Sequence, residues 1–184
     1  MNNIALLVID IQNDYFPGGK SELIGPVEAS LRAKKLLVLF REKRSPVIHV
    51  RHISTRKGAT YFLPGTAGAQ INENVKPLPG EVVIEKHFPN SFRETTLLDH
   101  LKKTDVERLL ICGMMTHMCI DSTTRAAFDH GFECILAQDA CATKDLAIND
   151  KAIPAWQVHA SFLAALNGMF AKVVSTDTIE LDLQ

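Results

Sequence analysis

Asp10, Lys86 and Cys119 are the residues of this 184-residue chain whose types and positions could together carry a reaction. Cys119 lies six residues beyond Gly113, where the apolar run Leu109-Leu110-Ile111-Cys112 breaks and a helix is due to begin. A thiol in the first turn of a helix faces the positive end of the helix dipole, which favours thiolate, the species that attacks carbonyl carbon. Taken alone, a free cysteine is more often a small buried hydrophobe. An aspartate after a first strand is often a turn cap, and a lone lysine is ordinarily a solvated charge. Position changes the balance. Asp10 ends the run Leu6-Leu7-Val8-Ile9, Lys86 ends Val82-Val83-Ile84-Glu85, and Cys119 follows the fourth apolar run by a short turn. Ligands of open α/β sheets bind beyond the carboxyl ends of the strands. A proton acceptor, a cation and a thiol at equivalent strand ends make a nucleophile with its base and counter-charge.

The elements that must hold these residues are legible as an alternation. Apolar runs rich in β-branched residues predict strands over Ile4 to Ile11, Pro46 to His52, Glu81 to Lys86, Arg108 to Gly113, Glu133 to Ala137 and Ala171 to Ser175. Near-continuous apolarity in Ala5 to Ile9 and Leu109 to Ile111 is the mark of strands covered on both faces. Helices are predicted over Val27 to Lys43, Arg93 to Lys102, Met118 to His130 and Ile148 to Met169. The expected fold class is α/β, a three-layer α/β/α sandwich with a six-stranded parallel sheet, in one domain spanning residues 1–184. The segment from Thr55 to Pro79 reads as a long irregular loop, which in a compact domain usually carries function.

Composition narrows the partners. Lys+Arg at 20 against Asp+Glu at 21 provides no field for nucleic acid or a membrane surface, so a small-molecule substrate is expected. The first residues lack a signal-peptide pattern and no apolar stretch is long enough to span a bilayer, so a cytoplasmic location is expected. Cys112, Cys119, Cys134 and Cys141 lack Cys-x-x-Cys spacing, and reduced thiols are the default.

Three segments, in this order, resemble the signatures of the isochorismatase-like cysteine hydrolases: Leu7-Val8-Ile9-Asp10-Ile11-Gln12, Glu85-Lys86-His87-Phe88-Pro89 and Gly113-Met114-Met115-Thr116-His117-Met118-Cys119. Leu63 to Ala69 and Ala137 to Ala142 resemble further motifs of that family. The resemblance implies sheet order 3-2-1-4-5-6, an Asp10-Lys86-Cys119 triad, a cis peptide at Met114–Met115, and an oxyanion hole built from the N–H groups of Met115 and Cys119. It further implies cleavage of a C–N bond in a small amide, carbamoyl or ureido compound through a thioester, and a homodimer or homotetramer. In that order strand three lies two positions from strand one, roughly 10 Å across the sheet, so Lys86 must reach inward.

Departures matter as much. Nicotinamidases of this superfamily hold a metal with one aspartate and several histidines, and only His52 remains here. Val50 stands at the expected aspartate, and Tyr61 lies near another ligand position. One imidazole makes no useful zinc site, so no metal or other cofactor is expected and nicotinamidase activity is disfavoured. Cys119 argues against vinyl-ether cleavage, because true isochorismatases lack that cysteine. Phe16, Tyr61, Phe62, His87, Phe92 and His117 adjoin the motifs and are candidates for the pocket wall. The competing reading, a thiol redox sensor or non-enzymatic binder, leaves Asp10 and Lys86 without a purpose.

Overall fold

The central strand β1 (Ile4–Ile9) is buried along its whole length because parallel strands flank it on both sides. Its side chains alternate between two cores. Ile4, Leu6 and Val8 pack with Ala33, Leu36, Leu37 and Phe40 of helix α1 (Pro26–Glu42), whereas Ala5, Leu7 and Ile9 belong to the opposite layer. That opposite layer takes in Leu97 and Leu101 of α2 (Leu97–Lys103), Ala127 of α3 (Asp121–Asp129), and Leu163 and Leu166 of α4 (Ala155–Leu166). Period-two alternation on an all-apolar strand thus produces three layers from one run of six residues.

The computed structural model describes residues 3–182. Beside β1 lie β2 (Val47–His52), β3 (Val82–Lys86), β4 (Arg108–Met114), β5 (Glu133–Ala142) and, after a small hairpin, β8 (Lys172–Val174). Their order is β3-β2-β1-β4-β5-β8, all parallel. This is the expected α/β sandwich and order, with the sixth sheet strand numbered β8. The difference in number comes from β6 (Leu146–Ile148) and β7 (Lys151–Ile153), an antiparallel pair in a segment expected to be loop and the start of a helix. Asn149 and Asp150 between them both have positive φ, 48° and 60°. Two such residues in a two-residue connection form the tight hairpin turn whose twist suits antiparallel strands. Helix α4 begins only after Pro154.

Other boundaries shift for local reasons. β5 continues past Ala137, because beyond a register shift Cys141 and Ala142 pair with Gly113 and Met114. Within it, Asp139 accepts hydrogen bonds from the N–H and hydroxyl of Thr176, at 2.8 and 2.6 Å, anchoring α5 (Thr176–Asp182), a helix outside the sequence expectation. α2 starts four residues later than predicted, at Leu97 rather than Arg93, and the preceding segment bends back toward Lys86. At Gly113, with φ 133°, a Cβ would collide with the Ile9 carbonyl, so glycine permits the close approach of β4 to β1 next to the site. No helix among the described residues is long and apolar enough to cross a membrane.

Candidate active site

Chain direction changes abruptly where β1 ends. Asp10 has a left-handed φ of 51°, and Gln12, fully buried, then clamps the neighbouring strand. Its amide nitrogen donates to the His52 and Ala69 carbonyls at 2.9 and 2.8 Å, while its carbonyl accepts from the His52 N–H at 2.7 Å. Two residues on, the Asp14 carboxylate accepts from the Phe62 N–H at 2.6 Å and the Lys20 N–H at 3.2 Å. Gly68 lies so close to that carboxylate that a Cβ would overlap it. The Gln12 and Asp14 side chains therefore fix the long loop after β2 against the end of β1.

Lys86 crosses the gap over β2. Its register partner on that strand is His52, and its ammonium lies 2.8 Å from Asp10 Oδ2, both side chains fully buried. The ammonium also donates to the Pro89 carbonyl at 2.8 Å. That carbonyl belongs to the bent segment before α2, which is tied to α3: Thr123 Oγ1 donates to Ser91 Oγ at 2.9 Å and accepts from the Ser91 N–H at 3.1 Å. The Asp10 carboxylate oxygens accept no well-aligned hydrogen bond from the described residues. A buried charge held by a single ion pair is a costly arrangement that structural sites avoid.

Cys119 completes the cluster from β4. The Met114–Met115 peptide is cis, and a π-helical turn over Thr116–Ile120 follows it before α3 begins at Asp121. Here the structure corrects the sequence expectation of a thiol in the first turn of an α-helix beginning at Met118. Cys119 sits inside a buried turn, 5 % exposed. Burial, followed by the Asp10 charge, pushes its pKa up to about 12, against the lowering effect of Lys86. The resting thiol is therefore protonated, because desolvation outweighs the nearby cation. Burial works to lower the Lys86 pKa, but Asp10 and Cys119 outweigh it and the net shift is upward, so its ammonium is retained. The Thr116 hydroxyl turns away from the helix start, pairing with His159 Nδ1 at 2.9 Å and donating to the Ala142 carbonyl at 3.3 Å.

A cavity of about 40 Å³ opens at the thiol, lined by Tyr15, His52, Tyr61, Phe62, Pro89, Met115, Met118 and Cys119. Of the six residues proposed for its wall, Tyr61 and Phe62 line it. The other four are placed elsewhere. Phe16 packs into the α1-side core, and Phe92 stacks on Phe132 in the opposite one. His87 Nδ1 bonds the Ile53 carbonyl at 2.8 Å, and His117 Nδ1 bonds Thr143 Oγ1 at 2.6 Å with its ring against Phe162. Phe16 shares a core with the cavity-lining Tyr15, Phe62 and Met115, and Phe92 shares one with Cys119, so each packs in the same layer without reaching the opening. Tyr15 and Met118 were missed, although each sits beside a named residue on a short helical turn. Burial raises the pKa of both tyrosines and lowers that of His52. All three are neutral hydrogen-bonding groups at neutral pH. Val50 is buried in the α2-side core, and Tyr61 stands in the aromatic wall of the cavity.

Comparison with known proteins gives these features a lineage. Residues 4–178 match the model of the isochorismatase domain. An uncharacterized isochorismatase family protein of Bacillus subtilis is 53% identical over 173 residues, covering 94% of this chain and 96% of that protein. An isochorismatase-family crystal structure from Oleispira antarctica superposes with a TM-score of 0.94 at 49% identity, over 97% of both chains. More distant relatives include a streptothricin hydrolase of Streptomyces noursei, 33% identical over 77% of this chain and 55% of that protein. Nicotinamidase 3 of Arabidopsis thaliana and maleamate amidohydrolase of Pseudomonas putida are 28% and 30% identical. With its sheet order, its thiol beyond β4 and this similarity over nearly its whole length, the chain belongs to the isochorismatase family of hydrolases.

Proposed function

We propose that the protein is a cysteine-dependent amidohydrolase that uses Asp10, Lys86 and Cys119 on a compact, uncharged amide, carbamoyl or ureido substrate. The observation that carries this reading is the fully buried Asp10–Lys86 ion pair beside the buried Cys119 sulfur. The S–H proton passes to Asp10 while Lys86 stabilises the thiolate; the sulfur pair then forms the C–S bond and the carbonyl π pair moves onto oxygen. The N–H groups of Met115 and Cys119 receive the developing oxyanion. Collapse expels the amine with the proton held on Asp10, leaving a thioester. Water, deprotonated by Asp10, then releases the carboxylic acid and regenerates the thiol.

Cavity chemistry supports the restriction to uncharged substrates. Tyr15, Tyr61 and His52 offer neutral polar atoms among aromatic and thioether surfaces, while the nearby charges of Asp10 and Lys86 are committed to each other. A carboxylate-bearing amide, such as maleamate, would find no free cation in that lining. Relatives named for nicotinamide, maleamate and streptothricin place C–N hydrolysis within reach of this fold.

The deciding experiment is a screen of neutral, anionic and cationic primary amides and ureides, read by ammonia release, with mass spectrometry of the quenched enzyme. An acyl adduct on Cys119 and a preference for neutral amides support the proposal. Full activity of Cys119→Ala would overturn it. The proposal extends to self-association: Trp156 and Ile148 remain 69% and 62% exposed on α4 and β6, and light scattering of the purified chain checks whether it is a dimer or tetramer.

A further inference from the structure

We infer that Asp10, His52 and Cys119 form a reversible inhibitory site for a thiophilic divalent cation of the Zn2+ type. A carboxylate oxygen, an imidazole nitrogen and the sulfur all lie within 4.8 Å of one another. In a tetrahedral zinc site with bonds of about 2.0–2.3 Å, ligand atoms stand roughly 3.3–3.8 Å apart, so side-chain rotations of about 1 Å close the set. A single imidazole makes no useful zinc site, but here it stands beside a thiol and a carboxylate. The set also differs from an aspartate-and-histidines arrangement, for which Val50 and Tyr61 provide no ligand.

Each ligand is available. Both Asp10 carboxylate oxygens are buried without an aligned hydrogen bond, and Lys86 approaches Oδ2, which leaves Oδ1 for a metal. Gln12 clamps both the N–H and the carbonyl of His52, so its backbone is fixed, while no described residue hydrogen-bonds its ring nitrogens. One sulfur, one nitrogen and one oxygen suit zinc or cobalt and leave a fourth position facing the cavity, where one water fits. Hard cations such as Mg2+, which demand octahedral oxygen ligands, do not fit a thiol and an imidazole. On binding, the S–H bond breaks, its proton goes to solvent and a metal–sulfur bond forms, with no change of oxidation state. The ammonium 2.8 Å from Asp10 opposes the incoming charge, which keeps binding reversible.

Loss of turnover on binding rests on the proposed role of Cys119, whereas binding rests on the ligand geometry alone. Cobalt(II) added to the full chain tests binding without any substrate. The expected result is a near-ultraviolet sulfur-to-cobalt charge-transfer band with the visible absorption of a tetrahedral site, displaced by Zn2+ and absent in Cys119→Ser. His52→Ala is expected to weaken cobalt binding at least tenfold while retaining the wild-type circular dichroism spectrum. In the unmodified protein, Zn2+ is expected to slow alkylation of Cys119 by iodoacetamide, mapped by mass spectrometry, and EDTA to restore it. A band that persists in Cys119→Ser, no band at all, or Cys119 alkylation indifferent to zinc would overturn the inference. A protein that binds cobalt in this way but hydrolyses no amide would leave the site standing and remove the hydrolase reading.

Discussion

Two clusters of charged groups lie at the two ends of β3 and are built on opposite plans. At the amino-terminal end of β3, Glu81 takes the Arg41 guanidinium on both oxygens at 2.7 and 2.8 Å, and Oε2 also accepts the Leu78 N–H at 2.8 Å. Buried His49 adds a contact at 3.0 Å, and Arg41 donates onward to the Lys76 carbonyl at 2.9 Å. Both oxygens of that carboxylate are engaged, Oε2 by three partners. At the carboxyl-terminal end of the same strand stands Lys86, whose partner Asp10, just beyond β1, has one ion-pair contact and no aligned hydrogen bond among the described residues, beside a thiol whose pKa burial raises. A saturated cluster holds elements together, and an unsaturated one keeps its capacity for a reacting group. Size is no guide to this distinction. A cavity of about 740 Å³ between the ends of α3 and α4, lined by Phe128, Phe132, Met169 and Phe170 among others, includes none of Asp10, Lys86 and Cys119, whereas the opening at Cys119 is about 40 Å³.

The contrast is broken most severely at the unsaturated end. Cys119→Ala is expected to lower kcat on the order of 10⁴-fold or more with the fold intact, measured by ammonia release and circular dichroism. Asp10→Asn is expected to cost about 10²–10⁴-fold in kcat while Cys119 still reacts with iodoacetamide. Lys86→Met strands a buried carboxylate and is expected to destabilise the protein by about 3–5 kcal/mol. The double variant Asp10→Asn/Lys86→Met should recover most of that stability and none of the activity. If Lys86→Met were as stable as the parent, the ion pair would not be the isolated, strained charge described here.

At the saturated end the expectation reverses. Glu81→Gln should cost about 2–3 kcal/mol of stability, roughly 4–12 °C in Tm, with kcat unchanged. The pH dependence follows from the same groups. Burial lowers the pKa of His49, outweighing Glu81, so the unfolded chain takes up that proton first. Its contribution is complete above the ordinary histidine range, near 6.5, and is lost as pH falls. Burial alone would raise Glu81, but Arg41, the Leu78 N–H and His49 bring it down to about 2 from 4.5. Stability from Glu81 is therefore full above about 4.5 and lost between about 4.5 and 2. Thermal unfolding followed across this range should show both losses, with Glu81→Gln removing the lower one. The smallest effect is expected at Lys76→Gln, whose partner Glu73 is even more exposed than itself: within about 0.5 kcal/mol.

How much of this was legible in the sequence depended on what each residue had to satisfy. Ile4 to Ile9 could only be a strand buried on both faces, and Asp10, Lys86 and Cys119 were marked by where apolar runs stop. The hairpin at Asn149-Asp150 was written in local turn chemistry but hidden by an apolar stretch that also suits a helix. Tyr15, by contrast, carried no signal of its own for the pocket, and nothing local said that His52, at the end of the second predicted strand, faces the same opening. Their side chains reach it because Gln12 and Asp14 tie β1 to a loop some 50 residues away, a long-range constraint that periodicity does not record.

Residue order determined the alternation of strand and helix, the family signatures and the types of group at each strand end, because these depend on period and chemical type. Tertiary structure alone decided that Lys86 spans β2 to meet Asp10, that Cys119 lies in a buried π-helical turn with its proton retained, and that His52 faces the same thiol. Each of these is a matter of desolvation and distance between segments far apart in the chain, and such quantities exist only once the layers have packed.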